Sequence, residues 1–195
     1  MLPSCVTYFE RIGRQRHPGL VVWFTGLSGA GKTTLATLLE RHLFQRGCLV
    51  YLLDGDALRL GLCSELGYSI ADRRENVRRA GEVARILADA GFIVLAALIS
   101  PLRQDRERIR ISLAQAQFIE VFVNAPLEIC EQRDVKGLYQ KARTGLISEF
   151  TGVSSPYEPP LNPELNLRTD LKSVKECLDQ LHIYIAARIA PVSGQ

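Results

Sequence analysis

Gly26-Leu27-Ser28-Gly29-Ala30-Gly31-Lys32-Thr33 has the spacing GxxxxGK[ST], with Thr34 directly after it. Glycines at such spacing let the backbone wrap a phosphate without side-chain clash, and successive amides at a helix start offer it positive partial charge. Lys32 is placed to reach the β- and γ-phosphates of ATP, and Thr33 to give its hydroxyl to Mg²⁺. Residues 26–34 are therefore the expected ATP site. ATPases, GTPases and small-molecule kinases share such a loop, so the rest of the chain must choose among them.

Asp54-Gly55-Asp56-Ala57-Leu58-Arg59 sets two carboxylates and a cation close together. Asp56 is the candidate base for an attacking hydroxyl and a second candidate Mg²⁺ oxygen, while Arg59 can pair with an anionic acceptor. Solvated charges on an Asp-Gly turn are the plainer alternative. Further on, Asp72-Arg73-Arg74-Glu75-Asn76 opens a helix with Asp72 as the expected cap, and Arg73 and Asn76 share a face that could grip a phosphate or sulfate. Arg133, Lys136, Lys141 and Arg143 surround Gly137 in a stretch suited to closing over phosphates. Lys136 and Lys141 could stabilise charge on the group in transfer. A basic exposed helix is the alternative there.

Positioning these groups takes a sheet edge. Leu20–Thr25, Leu49–Leu53, Phe92–Ile99 and Phe118–Val123 are short apolar runs, separated by helical stretches at Lys32–Gln45, Asp72–Ala90 and Arg103–Gln115. Continuous apolar strands alternating with helices predict a parallel sheet covered on both faces, with ligands at the carboxyl ends of the strands. The irregular region 132–163 is expected to hold a lid and then a substrate loop. A strand near Leu165–Leu167 and a helix over Ser173–Arg188 close a single domain at 20–190, flanked by a loosely attached arm (1–19) and a tail (191–195). The expected fold is a three-layer α/β/α P-loop kinase fold with a parallel sheet and a lid.

The 195 residues are 47% hydrophobic and 23% charged, as in ordinary globular chains, and the net charge of +3 is spread along the sequence. That favours small anionic substrates over nucleic acid. Five cysteines without a CxxC pair argue against a disulfide framework or zinc site. No apolar run suits a signal peptide or a membrane span, so a cytoplasmic protein is expected.

Taken in order, WFTGLSGAGKTT (23–34), DGD..R (54–59), LGYS..DRRENVRR (66–79), ISP.R (99–103), D.KGLY.KAR (134–143) and FTG...PYE.P (150–159) resemble the adenylyl-sulfate (APS) kinases. The resemblance covers about residues 20–170. It implies transfer of the ATP γ-phosphoryl group to the ribose 3′-hydroxyl of APS, giving 3′-phosphoadenylyl sulfate (PAPS) in sulfate activation, by a homodimer. It further implies that Arg59, Arg73 and Asn76 contact APS, that Tyr68 and Phe150 sandwich its adenine, and that Asp54, Ser100, Lys136, Gly137, Leu138, Thr151 and Gly152 belong to the acceptor site. Ser100 is where this family has been assigned a phosphoserine intermediate. Ser100-Pro101 also suits an ordinary helix start, with Ser as N-cap. Ala57 stands where the family usually has Asn, and Leu102 where it favours Tyr. Those departures motivate one other reading, a nucleotide-binding regulatory protein with weak turnover; a P-loop kinase for another small hydroxyl acceptor is a second. A GTPase is disfavoured, since no N-K-x-D guanine-reading motif is present.

Overall fold

The structure, a computed structural model, describes residues 5–15, 17–113 and 117–189. The expected tail at 191–195 and the end of the helix expected to run to Gln115 lie outside them. Five parallel strands, β1 (Leu20–Thr25), β2 (Val50–Asp54), β3 (Ile93–Ala97), β4 (Gln117–Asn124) and β5 (Leu165–Arg168), run in the order β2-β3-β1-β4-β5. Pairing of Trp23 with both Ala96 and Glu120 puts β1 at the centre of the sheet.

Alternate β1 residues feed two cores, as a sheet covered on both faces requires. Leu20, Val22 and Phe24 pack against α2 (Lys32–Gln45) and α8 (Val174–Ala186) through Leu35, Leu39, Leu181 and Ile185. Val21 and Trp23 point to the other face, onto α4 (Ile70–Asp89) and α5 (Arg103–Ser112). There α4 presents Ala80, Gly81, Ala84 and Ala88, and the small stripe lets α5 come close. A Cβ on Gly81 would lie 2.6 Å from the Ile109 side chain. At the free edge of the sheet, Glu40 of α2 accepts the Leu52 N–H (3.1 Å), satisfying one of the outward-facing donors of β2.

Three local expectations are corrected. The arm carries α1 (Tyr8–Gln15), docked under the sheet with Ile12 buried. The Gln15 amide donates to Ala90 O (3.0 Å), and the Tyr8 hydroxyl accepts the Gly19 N–H (3.2 Å). The spacing of Tyr8, Ile12 and Gln15 is that of one helix face. Ile12→Ala is expected to lower unfolding free energy by about 2 kcal/mol, the small end for a buried aliphatic, in urea titrations; an unchanged midpoint would return the segment to a loose arm. Second, α4 is capped by Ser69, whose Oγ accepts the Asp72 N–H and donates to the Asp72 carboxylate. Asp72 thus sits at the third helical position, and Glu75 is bound instead by Arg78 and Arg79, which hold its carboxyl down at about 2. Third, α5 begins at Arg103 after Leu102, so Ser100 is not its cap.

Candidate active site

At the carboxyl end of β1 the chain turns through Gly26, whose φ of +150° and whose Cβ, if present, at 2.3 Å from Val123 O exclude a side chain. The loop then runs into α2. Lys32 folds back beneath it, donating to Gly26 O (3.0 Å) and Leu27 O (2.8 Å), and burial pushes its ammonium down to about 8. No side chain caps α2, so its first amides stay available to an anion.

Asp54 ends β2, and its two oxygens point different ways. Oδ1 accepts the Asp56 and Ala57 N–H groups (2.9 and 3.3 Å) and starts the short helix α3 (Gly55–Arg59). Oδ2 accepts the Thr33 hydroxyl (2.8 Å). The carboxylate bonded to Thr33 is therefore Asp54, while Asp56, two residues on, forms an ion pair with Lys136 from the lid.

A cavity of about 730 Å³ joins these groups. Its lining includes Ser28 through Thr34, Asp54, Asp56, Arg59, Tyr68, Arg73, Asn76, Ser100, Lys136, Leu138 and Phe150. Arg59 donates to Leu66 O and Gly67 O and lies 4.5 Å from the Tyr68 ring centroid. Arg73 is tied to Tyr68 O (2.9 Å) and Glu149 O (2.7 Å), leaving its charge without a carboxylate partner among the ion pairs of the described residues. Asn76 is 5% exposed, and its Nδ2 has no hydrogen-bond partner. A buried amide donor left unmade is costly, so a ligand acceptor at that position would be bound strongly. Phe150 is buried edge-on to Tyr139 (4.9 Å).

Other expected site residues lie outside this lining. Lys141 is exposed on α7 (Leu138–Arg143), and Gly137 is the left-handed residue that starts that helix (φ +62°). Thr151 is buried in the Phe150 loop beside a small apolar pocket, while Gly152 packs on Leu27. Gly26 and Leu27 shape the loop from behind. Ser100 does line the cavity, but in the left-handed region (φ +40°), 2% exposed, with its Oγ accepting the Trp23 indole N–H (3.0 Å).

The sequence reading named Arg133 as a lid cation but missed the wall that it builds with Thr169, Lys172 and Val174. Arg133 of α6 (Leu127–Arg133) donates to Gly29 O and to Thr169 O, Thr169 donates to Ala30 O, and Lys172 and Val174 continue the lining. Tyr139 donates to Ser28 O (2.9 Å), fastening the lid helix to the phosphate loop. The carboxyl end of β5 lies on the ligand-binding edge, and that rule applied to Arg168-Thr169 would have found this wall.

A phosphate loop after the central strand, an acidic pair where β2 runs into α3 and a basic lid over one cavity define an ATP-dependent phosphotransferase of the P-loop kinase class. The adenylylsulphate kinase family profile matches residues 18–168. The chain is 54% identical over 183 residues to an adenylyl-sulfate kinase of Geotalea daltonii, covering 94% of this chain and 90% of that one. Another, from Shewanella amazonensis, is 56% identical over 164 residues, 84% of this chain and 83% of the relative. The structure of the Mycobacterium tuberculosis APS kinase CysC in complex with AMPPNP and APS superposes with a TM-score of 0.83 at 49% identity, over 87% of this chain and 98% of that one. The chain belongs to the adenylyl-sulfate kinase family.

Proposed function

We propose that this chain transfers the γ-phosphoryl group of ATP to the ribose 3′-hydroxyl of APS, releasing PAPS and ADP. The observation that carries the reading is a single cavity lined by the phosphate loop, the Asp56–Lys136 pair and the unpartnered Asn76 amide. A kinase needs donor phosphates, a hydroxyl-activating carboxylate and acceptor anchors in one enclosed space.

In this reading the 3′-oxygen attacks the γ-phosphorus, the bond to the ADP oxygen breaks, and the hydroxyl proton passes to Asp56. Lys136, now paired with Asp56, moves to the γ-phosphate when ATP binds, which frees the carboxylate for the proton. Lys32 leaves the loop carbonyls for the phosphate oxygens. Arg59, Arg73 and Asn76 hold the sulfate–phosphate anion, and the faces of Tyr68 and Phe150 receive the adenine. Among the described residues no group of three or more His, Cys, Asp or Glu side chains could hold a metal alone. The oxygens of Thr33 and Asp54, 2.8 Å apart, with Asp56 next to them, suit Mg²⁺ that arrives on the nucleotide and keeps most of its water. When bound, Mg²⁺ offsets charge on the phosphates.

Direct transfer needs no phosphoserine, and the buried Ser100 hydroxyl is engaged with Trp23. Ser100→Ala is expected to keep turnover within about tenfold while costing about 1–2 kcal/mol of stability for the orphaned indole N–H. Loss of all turnover in a folded variant would restore the covalent route.

The wider reading includes a single catalytic unit over 20–190, a homodimer and a cytoplasmic role in sulfate assimilation. Five free cysteines fit a reducing compartment, and no helix among the described residues is long and apolar enough to cross a membrane. Sedimentation at micromolar concentration tests the dimer. PAPS formation from APS and Mg-ATP, with Lys32→Ala as blank, tests the activity. PAPS from wild type alone supports it. Binding of APS without PAPS would favour the regulatory alternative, and faster ADP release with a sugar acid or nucleoside would favour another acceptor.

A further inference from the structure

Between Gly145 and Glu164 the chain forms no helix and no more than an isolated bridge, yet it delivers Phe150 to the cavity. Its shape comes from a local knot: Phe150 O accepts the N–H groups of Val153, Ser154 and Ser155, and Ser154 Oγ accepts Phe150 N–H and donates to Ser148 O. A knot fixes shape and not place. Placement falls to Tyr157 and Glu158. The Tyr157 ring stacks on Phe122 of β4 (6.1 Å), and its hydroxyl is 3.0 Å from Thr25 Oγ1 at the root of the phosphate loop. Glu158 N–H donates to Pro101 O, and its carboxylate accepts the Arg103 N–H.

Arg106 joins these pieces. Only 2% exposed, it donates from Nη1 to Ser100 O (2.7 Å), from Nη2 to Glu158 O (2.8 Å) and from Nε to Glu120 (2.6 Å). A buried cation is costly unless fully bonded, and a planar fork is what can hold two carbonyls and a carboxylate at fixed separation. One guanidinium therefore spans the Ser100 wall of the cavity and the root of the Phe150 loop. Arg106 touches neither the phosphate loop nor the Thr169 wall in any bond described above.

We propose that Arg106 and Tyr157 are positioning residues for the acceptor: they set the distance between the Ser100 wall and the Phe150 loop, Arg106 without any bond to the donor half of the cavity. The inference rests on the reading of APS as acceptor. Arg106→Lys keeps the charge and loses the fork; Tyr157→Phe keeps the stacked ring and loses the hydroxyl, which guards against a variant that merely fails to fold.

Steady-state kinetics should show KM for APS raised about tenfold or more in Arg106→Lys, with its KM for Mg-ATP within about twofold of wild type. A smaller rise for APS is expected in Tyr157→Phe, whose lost hydroxyl also borders the phosphate loop. Hydrogen exchange on the full chain should show faster exchange at the Glu158 amide, which donates to Pro101 O, with α2 unchanged. Unchanged KM for APS in both variants, or parallel rises for both substrates in Arg106→Lys, would overturn the proposal. If wild type forms no PAPS, the reading of the acceptor falls instead, and exchange at the Glu158 amide decides the positioning role alone: unchanged protection there sinks it.

Discussion

Asp56→Asn is expected to lower kcat by about 10² or more while leaving ATP binding nearly intact, the magnitude usual for loss of a general base. The substitution keeps volume and can still accept a hydrogen bond. What it removes is a carboxylate able to take the 3′-hydroxyl proton. Asp56 is more than half exposed and held by its backbone to Asp54, so stability should hardly change. Its ion pair with Lys136 gives an internal control: Lys136→Ala in the Asp56→Asn background should cost less than in wild type, because the two side chains act on each other. Near-full turnover of Asp56→Asn in single-turnover assays would remove the residue from the chemistry.

Lys32→Ala is expected to lower kcat/KM for Mg-ATP by about 10³, as for loss of a preorganised donor to developing charge. Here pH supplies a second signature. The usual lysine value is 10.5, and burial first of all brings Lys32 to about 8 in the nucleotide-free protein. Phosphates favour the ammonium, so ATP affinity should fall as pH rises through about 8, with a proton taken up on binding near that pH. Calorimetry in buffers of different ionisation enthalpy reads the uptake, and Lys32→Ala should abolish it. Uptake that persists in the variant would assign the proton to another group. The same depression makes folding stability rise with pH between about 8 and 10.5, because there the unfolded chain binds the extra proton.

What was legible in the chain followed from local pattern. The apolar run Leu20–Thr25, the glycine loop and the helix over Lys32–Gln45 are found where strand, turn and helix signals put them. The segments that escaped are those whose conformation is set by distant partners. Helix α1 owes its order to Ala90 and Gly19, far along or beyond its own sequence, and buries one aliphatic side chain, too little for a periodic signal. Ser69-x-x-Asp72 is a capping pattern displaced by one turn from the more obvious Asp72-x-x-Glu75, and the arginines that claim Glu75 decide between them. Ser100 carries the residue types of a helix start, but the indole of Trp23 and the guanidinium of Arg106 hold it left-handed instead. Residue type and spacing picked out the donors and carboxylates that line the cavity; Thr169 carries no such type signal, because it acts through a backbone carbonyl and a common hydroxyl, and only its place at the end of β5 points to it.

Asp54 bonds to Thr33 through one oxygen and to the amides that start α3 through the other. Anyone seeking to retrain this scaffold for a different acceptor should therefore leave position 54 alone. A change there would disturb the Thr33 hydroxyl and the aim of Asp56 in one stroke, so no selection scheme could improve the acceptor without also injuring the use of ATP. Under the proposed function Arg59, Tyr68 and Asn76 carry no such double duty, and a library restricted to them would explore new acceptors while the phosphate loop stays fixed.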